Sequence, residues 1–359
     1  MKRAWGPWLL LFAVFCLASA SYGQSKRAGE PPFTLTWSAG KCVGCKIASE
    51  LGRVQFTSRR EAWAIGYSWP PPGAQGAGDY IVVQTKDAGR TWREIRQTHQ
   101  HAGDADGPPA FSFLDTERGW IAWGDPAGAP KMIRTRDGGQ HWQDVSQESL
   151  QKIRFFDDGR GIGAEVTKFL RTNDGGRNWT ETTIPHLRFI DRMFFLTPDL
   201  GWIAGSDGKD FFVFRTTNGG RDWQESRTSA PEDLADVRDL FFLNRNRGWL
   251  ITWQLNDGGT YLFSTTDGGR TWVPDPDLSF QGKGKWAAVV RFTSETNGFV
   301  FVNGEAKLRR LLYTIDAGAH WRGRDLSEPV YDCQVFEGDL LCSAGESPSG
   351  FRLLTVHQR

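Results

Sequence analysis

TTDGGRTW, at Thr265–Trp272, is one of six versions of a single octad in this chain. The others are TKDAGRTW at Thr85–Trp92, TRDGGQHW at Thr135–Trp142, TNDGGRNW at Thr172–Trp179, TTNGGRDW at Thr216–Trp223 and TIDAGAHW at Thr314–Trp321. Successive octad tryptophans stand 50, 37, 44, 49 and 49 residues apart. One match would mean little, but six at near-regular intervals define a structural repeat. In each octad an acidic or amide side chain (Asp87, Asp137, Asp174, Asn218, Asp267, Asp316) is placed to accept backbone N–H groups inside a tight turn. The glycines permit positive φ. The closing residues Trp92, Trp142, Trp179, Trp223, Trp272 and Trp321 can then anchor each turn between neighbouring sheets. Burying one such ring removes roughly 150–250 Å² from water. At about 25 cal/mol/Å² that is on the order of 4–6 kcal/mol, an upper bound because unfolded chains are partly compact.

A second motif precedes each octad: Phe, then a small residue six positions on, then usually an aromatic. Examples are Phe113/Gly119/Trp120, Phe195/Gly201/Trp202 and Phe242/Gly248/Trp249. The polar residues between them read as a hairpin turn, and WIAG or WLIT after them as a strand. Each unit therefore predicts four strands, which is the spacing of a β-propeller blade. After Asp332 the tail supplies CQVF, LLCS and FRLLTV but no octad. FTLTW at Phe33–Trp37 is the unassigned strand that can complete it. The expected fold is all-β: a seven-bladed β-propeller of four-stranded antiparallel blades, its ring closed by N- and C-terminal strands. Six blades plus a cap is the alternative. Closure removes sheet edges that would otherwise invite aggregation.

The start of the chain carries an address. Lys2 and Arg3 precede an apolar run at Trp8–Leu17, and Ala18-Ser19-Ala20 offers small residues for cleavage. Residues 1–20 are expected to be a signal peptide and 21–32 a flexible leader, leaving 33–359 as one propeller domain. The protein is expected to be exported, periplasmic or extracellular, with no stable membrane insertion after cleavage. Four cysteines remain beyond Cys16. Cys333 and Cys342 flank a two-residue turn and favour the pair Cys333–Cys342, leaving Cys42–Cys45. An N-to-C-terminal staple is the rival pairing. Removing Lys2 and Arg3 from 43 basic residues leaves one fewer than the 42 acidic ones, a balance that argues against nucleic acid as partner.

The octads resemble those of the BNR or Asp-box propellers, and the likeness covers nearly all of Phe33–Arg359. That superfamily includes sialidases, xyloglucanases, sortilin-type receptors and photosystem II stability/assembly factors. A signal peptide, one seven-bladed domain and repeated F-x5-G-W units make this chain most similar to the assembly-factor type. The resemblance implies a non-catalytic platform for a protein partner, without cofactor, with an Arg-rich surface. It makes the octad a structural turn and says nothing of chemistry.

Enzyme readings find little to hold. Sialidases usually carry Arg within an F/Y-R-I-P motif early in the chain, and none occurs; Phe111–Phe113 reads FSF. A xyloglucanase needs two carboxylates across a cleft. Asp191, Asp236 and Asp239 are the nearest candidates, and Arg192 and Arg238 stand ready to pair with them. A carbohydrate-active hydrolase therefore stays as the alternative function, and carbohydrate as the alternative ligand. His99 and His101 beside Asp104 and Asp106 read as an exposed loop, so no metal site is expected. No residue is assigned a catalytic role. Basic residues recur near the expected innermost strands: Arg53, Lys152, Arg154, Arg192, Arg238 and Arg291. Facing one channel they would form a patch for an acidic partner segment; the competing expectation is cross-strand pairing with acids. Trp123 and Trp253 are expected in the packing between blades, and Trp69 in an open Pro-rich loop. A monomer is expected.

Overall fold

The computed structural model describes residues 31–44, 49–68, 79–101, 108–123, 131–228, 234–254, 259–280, 285–304, 308–345 and 351–358. The expected signal peptide, Cys45, Trp69, Asp104 and Asp106 lie outside them. Among the described residues there are strands and no helix. Phe33–Arg359 forms one compact unit.

Strand β1 (Phe33–Val43) stands apart from the blade that follows it in sequence. Blade one is β2 (Ser49–Phe56), β3 (Ala62–Ser68), β4 (Asp79–Thr85) and β5 (Thr91–His101). Blade two is β6 (Ala110–Phe113), β7 (Gly119–Trp123), β8 (Lys131–Thr135) and β9 (Gln143–Ser146). Blade three is β10 (Lys152–Phe155), β11 (Gly161–Ala164), β12 (Lys168–Thr172) and β13 (Thr180–Thr183). Blade four is β14 (Phe189–Phe195), β15 (Gly201–Ser206), β16 (Phe211–Thr216) and β17 (Gln224–Glu225). The short β18 (Arg227–Thr228) leads into blade five, made of β19 (Leu234–Phe242), β20 (Gly248–Gln254), β21 (Thr260–Thr265) and β22 (Thr271–Phe280). Blade six is β23 (Lys285–Phe292), β24 (Gly298–Gly304), β25 (Arg309–Thr314) and β26 (Arg322–Asp325). Blade seven is β27 (Val330–Phe336), β28 (Asp339–Ala344) and β29 (Phe351–Gln358), completed by β1. β1 pairs antiparallel with β29 from Phe33↔Gln358 to Gly40↔Phe351. The ring is seven-bladed, and FTLTW closes it. Within blade seven Cys333 lies opposite Cys342 and the two are disulfide-bonded. Cys42 is also disulfide-bonded, and the expected partner Cys45 lies outside the described residues.

The octad turns follow one hydrogen-bond scheme. In TTDGGRTW, Thr265 Oγ1 donates to Asp267 Oδ1 (2.8 Å) and accepts from Gly269 N (2.9 Å). Arg270 N and Thr271 N then donate to Asp267 Oδ1 at 2.9 and 3.0 Å. TTNGGRDW explains its own exception. Asn218 Nδ2 donates to Asp222 Oδ2 (2.8 Å), where a second carboxylate would repel. Boxes one and six place alanine where the others have glycine, and Ala88 and Ala317 are held at φ 61° and 64°. An L-residue is strained there. Ala88→Gly and Ala317→Gly are each expected to stabilise the fold by roughly 0.5–1 kcal/mol in urea titrations, the reverse of the usual cost of glycine.

The six octad tryptophans are not equally buried. Trp92 and Trp272 are sealed, while Trp142, Trp179, Trp223 and Trp321 are half-buried. The sealed pair sit where main chain crosses from the preceding blade. Lys41–Val43 pairs parallel with Thr91–Arg93, and Arg227–Thr228 pairs parallel with Thr271–Trp272. The full burial energy estimated above therefore applies at two seams, not six. The second motif makes the other inter-blade contact. Trp63, Trp120, Trp202 and Trp249 stack flat on the repeat phenylalanine of the next blade: Phe113 at 4.0 Å, Phe155 at 3.9 Å, and Phe242 and Phe292 at 3.5 Å. Trp120 and Trp202 also donate Nε1–H to Gly175 O and Gly268 O in the next blade's octad. Blade six faces a blade without an octad, and there the tryptophan is replaced by Phe299, whose ring lies against Phe33.

Candidate functional site

The inner strands β2, β6, β10, β14, β19, β23 and β27 wall a central cavity of about 1130 Å³. All six basic residues of the expected patch line it: Arg53, Lys152, Arg154, Arg192, Arg238 and Arg291. Lys152 and Arg154 arrive by simple alternation along the unbulged β10. Most of the others do not, because five inner strands carry an extra residue. The bulges fall between Leu51 and Val54, Ile190 and Arg192, Val237 and Asp239, Ala287 and Val289, and Val330 and Asp332, with a second one in β19 between Leu234 and Asp236. A bulge re-aims side chains and resets the phase of a strand.

The six residues divide into two groups. Arg291 is a structural tie. Its Nη1 lies 2.5 Å from Asp239 Oδ2, its Nη2 3.4 Å from Asp332 Oδ1, and its Nε donates to Cys333 O (2.5 Å). Arg238 pairs with Asp236 at 2.9 Å and lies over the Trp253 ring at 4.5 Å. For these two the expectation of pairing with acids holds. Arg53, Lys152, Arg154 and Arg192 form no ion pair with any described residue. Arg53 and Arg154 are open to water, yet protein surrounds them. Burial depresses the pKa of Arg53, aided by the Arg192 charge and opposed by Asp332, and burial depresses that of Arg154. Burial also brings Lys152 down to about 8, with Arg192 and Arg53 adding repulsion. The cations of blades one, three and four thus face one another without a direct ion pair among the described residues, though Asp191 attracts Lys152 and Arg192, and Asp332 attracts Arg53.

The channel also holds acids: Asp191 beside Arg192 on blade four, Asp239 on blade five and Asp332 on blade seven. Burial pushes Asp191 up to about 6, against the pull of a hydrogen bond from Val237 N. Burial also raises the pKa of Asp332, against the attraction of Arg291. Asp191 and Asp239 act as staples between inner strands, accepting from Val237 N (3.2 Å) and Val290 N (2.8 Å) of the next blade. Gln334 bonds both backbone groups of Phe56, Gln55 both those of Phe113, and Ser112 Oγ accepts from Phe155 N. With Arg291 reaching Cys333 O, six of the seven seams are stapled among the described residues. Asp332, Gln55, Gln334 and the lining rings Phe111, Phe156, Phe194, Phe241 and Tyr331 were not singled out from sequence. The residue just before each repeat phenylalanine was the available signal: Gln55, Ser112, Arg154, Phe194, Phe241 and Arg291 all line the channel.

His99 and His101 belong to β5 rather than to the expected loop. Trp123 packs partly against the core that contains Trp63, as expected for an inter-blade ring. Among the described residues no cluster of His, Cys, Asp or Glu is arranged to hold a metal ion.

Octads, repeat motif and blade count together define a seven-bladed β-propeller whose fold resembles that of the photosystem II stability factor propellers. No protein-family model matches the chain, and no curated protein sequence matches it. Among solved structures the chain is similar to YCF48 bound to a D1 peptide, with 17% identity, TM-score 0.61, and 92% of this chain and 98% of that one covered. It is also similar to YCF48 from Cyanidioschyzon merolae (16% identity, TM-score 0.59, 89% and 98% covered). The WD40 propeller domain of Doa1 follows at 10% identity and TM-score 0.54, with 91% and 98% covered. At these identities the likeness is one of fold.

Proposed function

We propose that this protein is an exported, non-catalytic platform that holds an acidic segment of a partner protein in its central channel. The observation that carries the proposal is the set of cations without an ion pair among the described residues, Arg53, Lys152, Arg154 and Arg192, in a cavity also lined by phenylalanines. Charges left facing one another raise the free energy of the empty channel and are relieved by an anion. The aromatic wall suits the apolar side chains of a peptide. The structure similar in fold that holds a D1 peptide supports a peptide as occupant. The hydrolase alternative draws no support from the channel acids, because Asp191, Asp239 and Asp332 are engaged in the staples and ion pairs of the ring.

Calorimetric titration of the full chain with glutamate-rich, neutral and lysine-rich decapeptides tests the proposal. The glutamate-rich peptide is expected to bind, and to weaken steeply with salt. The triple variant Arg53→Gln, Lys152→Gln, Arg192→Gln is expected to lose about 100-fold or more in affinity, at roughly 1–2 kcal/mol per charge. Affinity should fall as pH rises through about 8, where Lys152 gives up its proton. It should rise as pH falls through about 6, where Asp191 becomes neutral and stops repelling the peptide. Equal binding of all three peptides would refute the proposal.

A further inference from the structure

Among the described residues the one seam without an inner-strand staple lies between blades three and four, and Lys152, Arg154 and Arg192, which form no ion pair with any described residue, flank it. This seam is tied at its rim instead, where Ile190 N donates to Val166 O (2.8 Å). The tie leaves two apolar side chains in water. Val166 is 41% exposed and Phe189 47%. Val166 sits in the turn that follows Ala164, the cross-strand partner of Lys152, and Phe189 begins the strand that carries Arg192. An apolar step therefore adjoins the cationic side of the channel. Tyr331, exposed at 47%, lines the channel on blade seven, away from this seam. Val43, Val273 and Ile315 are also exposed, but they lie on β1, on β22 and in the sixth octad; Leu196 stands just beyond the far end of β14, and Val166 and Phe189 stand at the rim rather than in the channel lining.

We infer that the partner segment enters over the seam between blades three and four, laying an apolar side chain on Val166 and Phe189 and extending its carboxylates to Lys152, Arg154 and Arg192. The inference rests on the acidic-segment reading above and adds a place of entry and a sequence pattern. Phe189 and Arg192 lie opposite Ser206 and Ala204, because β14 bulges between them, so about 7 Å of strand plus the reach of the arginine side chain separates the apolar anchor from the acids. The partner is thus a peptide with an apolar residue roughly three positions from an acidic run. At the rim Glu165 has Lys168, Glu148 and Glu181 around it and Arg188 has Asp207 near it, while Asp191 stands beside Arg192, so the positive charge offered to the segment is that of Lys152, Arg154 and Arg192 in the channel.

Two synthetic peptides test it on the full chain. One carries three glutamates flanked, three residues away on both sides, by phenylalanine; the other has serine in place of both phenylalanines. The wild type is expected to bind the phenylalanine peptide about ten times more tightly. The double variant Val166→Ser, Phe189→Ser is expected to bind both peptides like the serine peptide, and Phe189→Leu to restore most of the difference. Both side chains are exposed, and unchanged thermal unfolding checks that the double variant is folded. Equal wild-type affinities, or a preference that survives the double variant, overturn the inference while leaving the acidic-segment reading intact. Binding of neither peptide to the wild type overturns that reading itself. A wild-type dimer in sedimentation that the double variant abolishes also overturns the inference, by assigning the apolar step to a second copy.

Discussion

Gly119→Ala is expected to destabilise the propeller by about 3 kcal/mol, at the upper end of the cost of overpacking a core. A Cβ at this position would lie inside the Phe113 ring. The ring cannot retreat, because Trp63 of the preceding blade is stacked on it at 4.0 Å and 5°. Phe113 is thus held between its own blade's glycine and its neighbour's indole. Gly161, Gly201, Gly248 and Gly298 stand in the same relation to Phe155, Phe195, Phe242 and Phe292. Urea unfolding of Gly119→Ala, Phe113→Leu and the double variant measures the coupling. Phe113→Leu should cost less in the alanine background than in the wild type, because it removes the clash along with the stack. Additive losses would mean that the ring moves aside and the sandwich is not the reason for the glycine.

That motif shows what the sequence made legible and what it did not. The spacing of Phe, glycine and tryptophan marks a hairpin, and six octads mark the blades, so the ring could be read from periodicity alone. The partner of each ring could not, because Phe113 and Trp63 belong to different blades and their contact has no local signal. The same holds for Trp92 and Trp272, whose burial depends on chain arriving from a neighbouring blade. The channel was legible in residue type and not in phase. Lys152 and Arg154 obey period two, whereas Arg53, Asp191, Arg238 and Tyr331 are themselves the extra or adjacent residues of bulges. Composition also could not tell a tie from a free cation. Arg291 and Arg192 precede the core differently in their repeats, and only the positions of Asp239 and Asp332 separate their roles.

The two kinds of channel cation are therefore expected to respond to removal with opposite signs. Arg291→Met should destabilise the fold by about 3–5 kcal/mol, the usual result of deleting one member of a buried ionic cluster. Its side chain is only 13% exposed, and its loss strands Asp239 at 11% exposure and frees Cys333 O. Burial already raises the pKa of Asp332, and losing the Arg291 charge raises it further, so the defect should shrink in acid as that carboxyl takes up a proton. Lys152→Met should instead stabilise the fold by roughly 1 kcal/mol at neutral pH, since it removes a desolvated charge repelled by Arg192 and Arg53. The sign follows from linkage. The pKa of Lys152 is lowered from 10.5 to about 8, so the wild type loses stability as pH falls from 10.5 to about 8, and the gain from methionine should vanish above 10.5. Thermal unfolding of both variants from neutral to alkaline pH reads the difference directly. A loss for Lys152→Met at neutral pH would show that this cation is compensated inside the empty channel, and the electrostatic case for an anionic partner would fail with it.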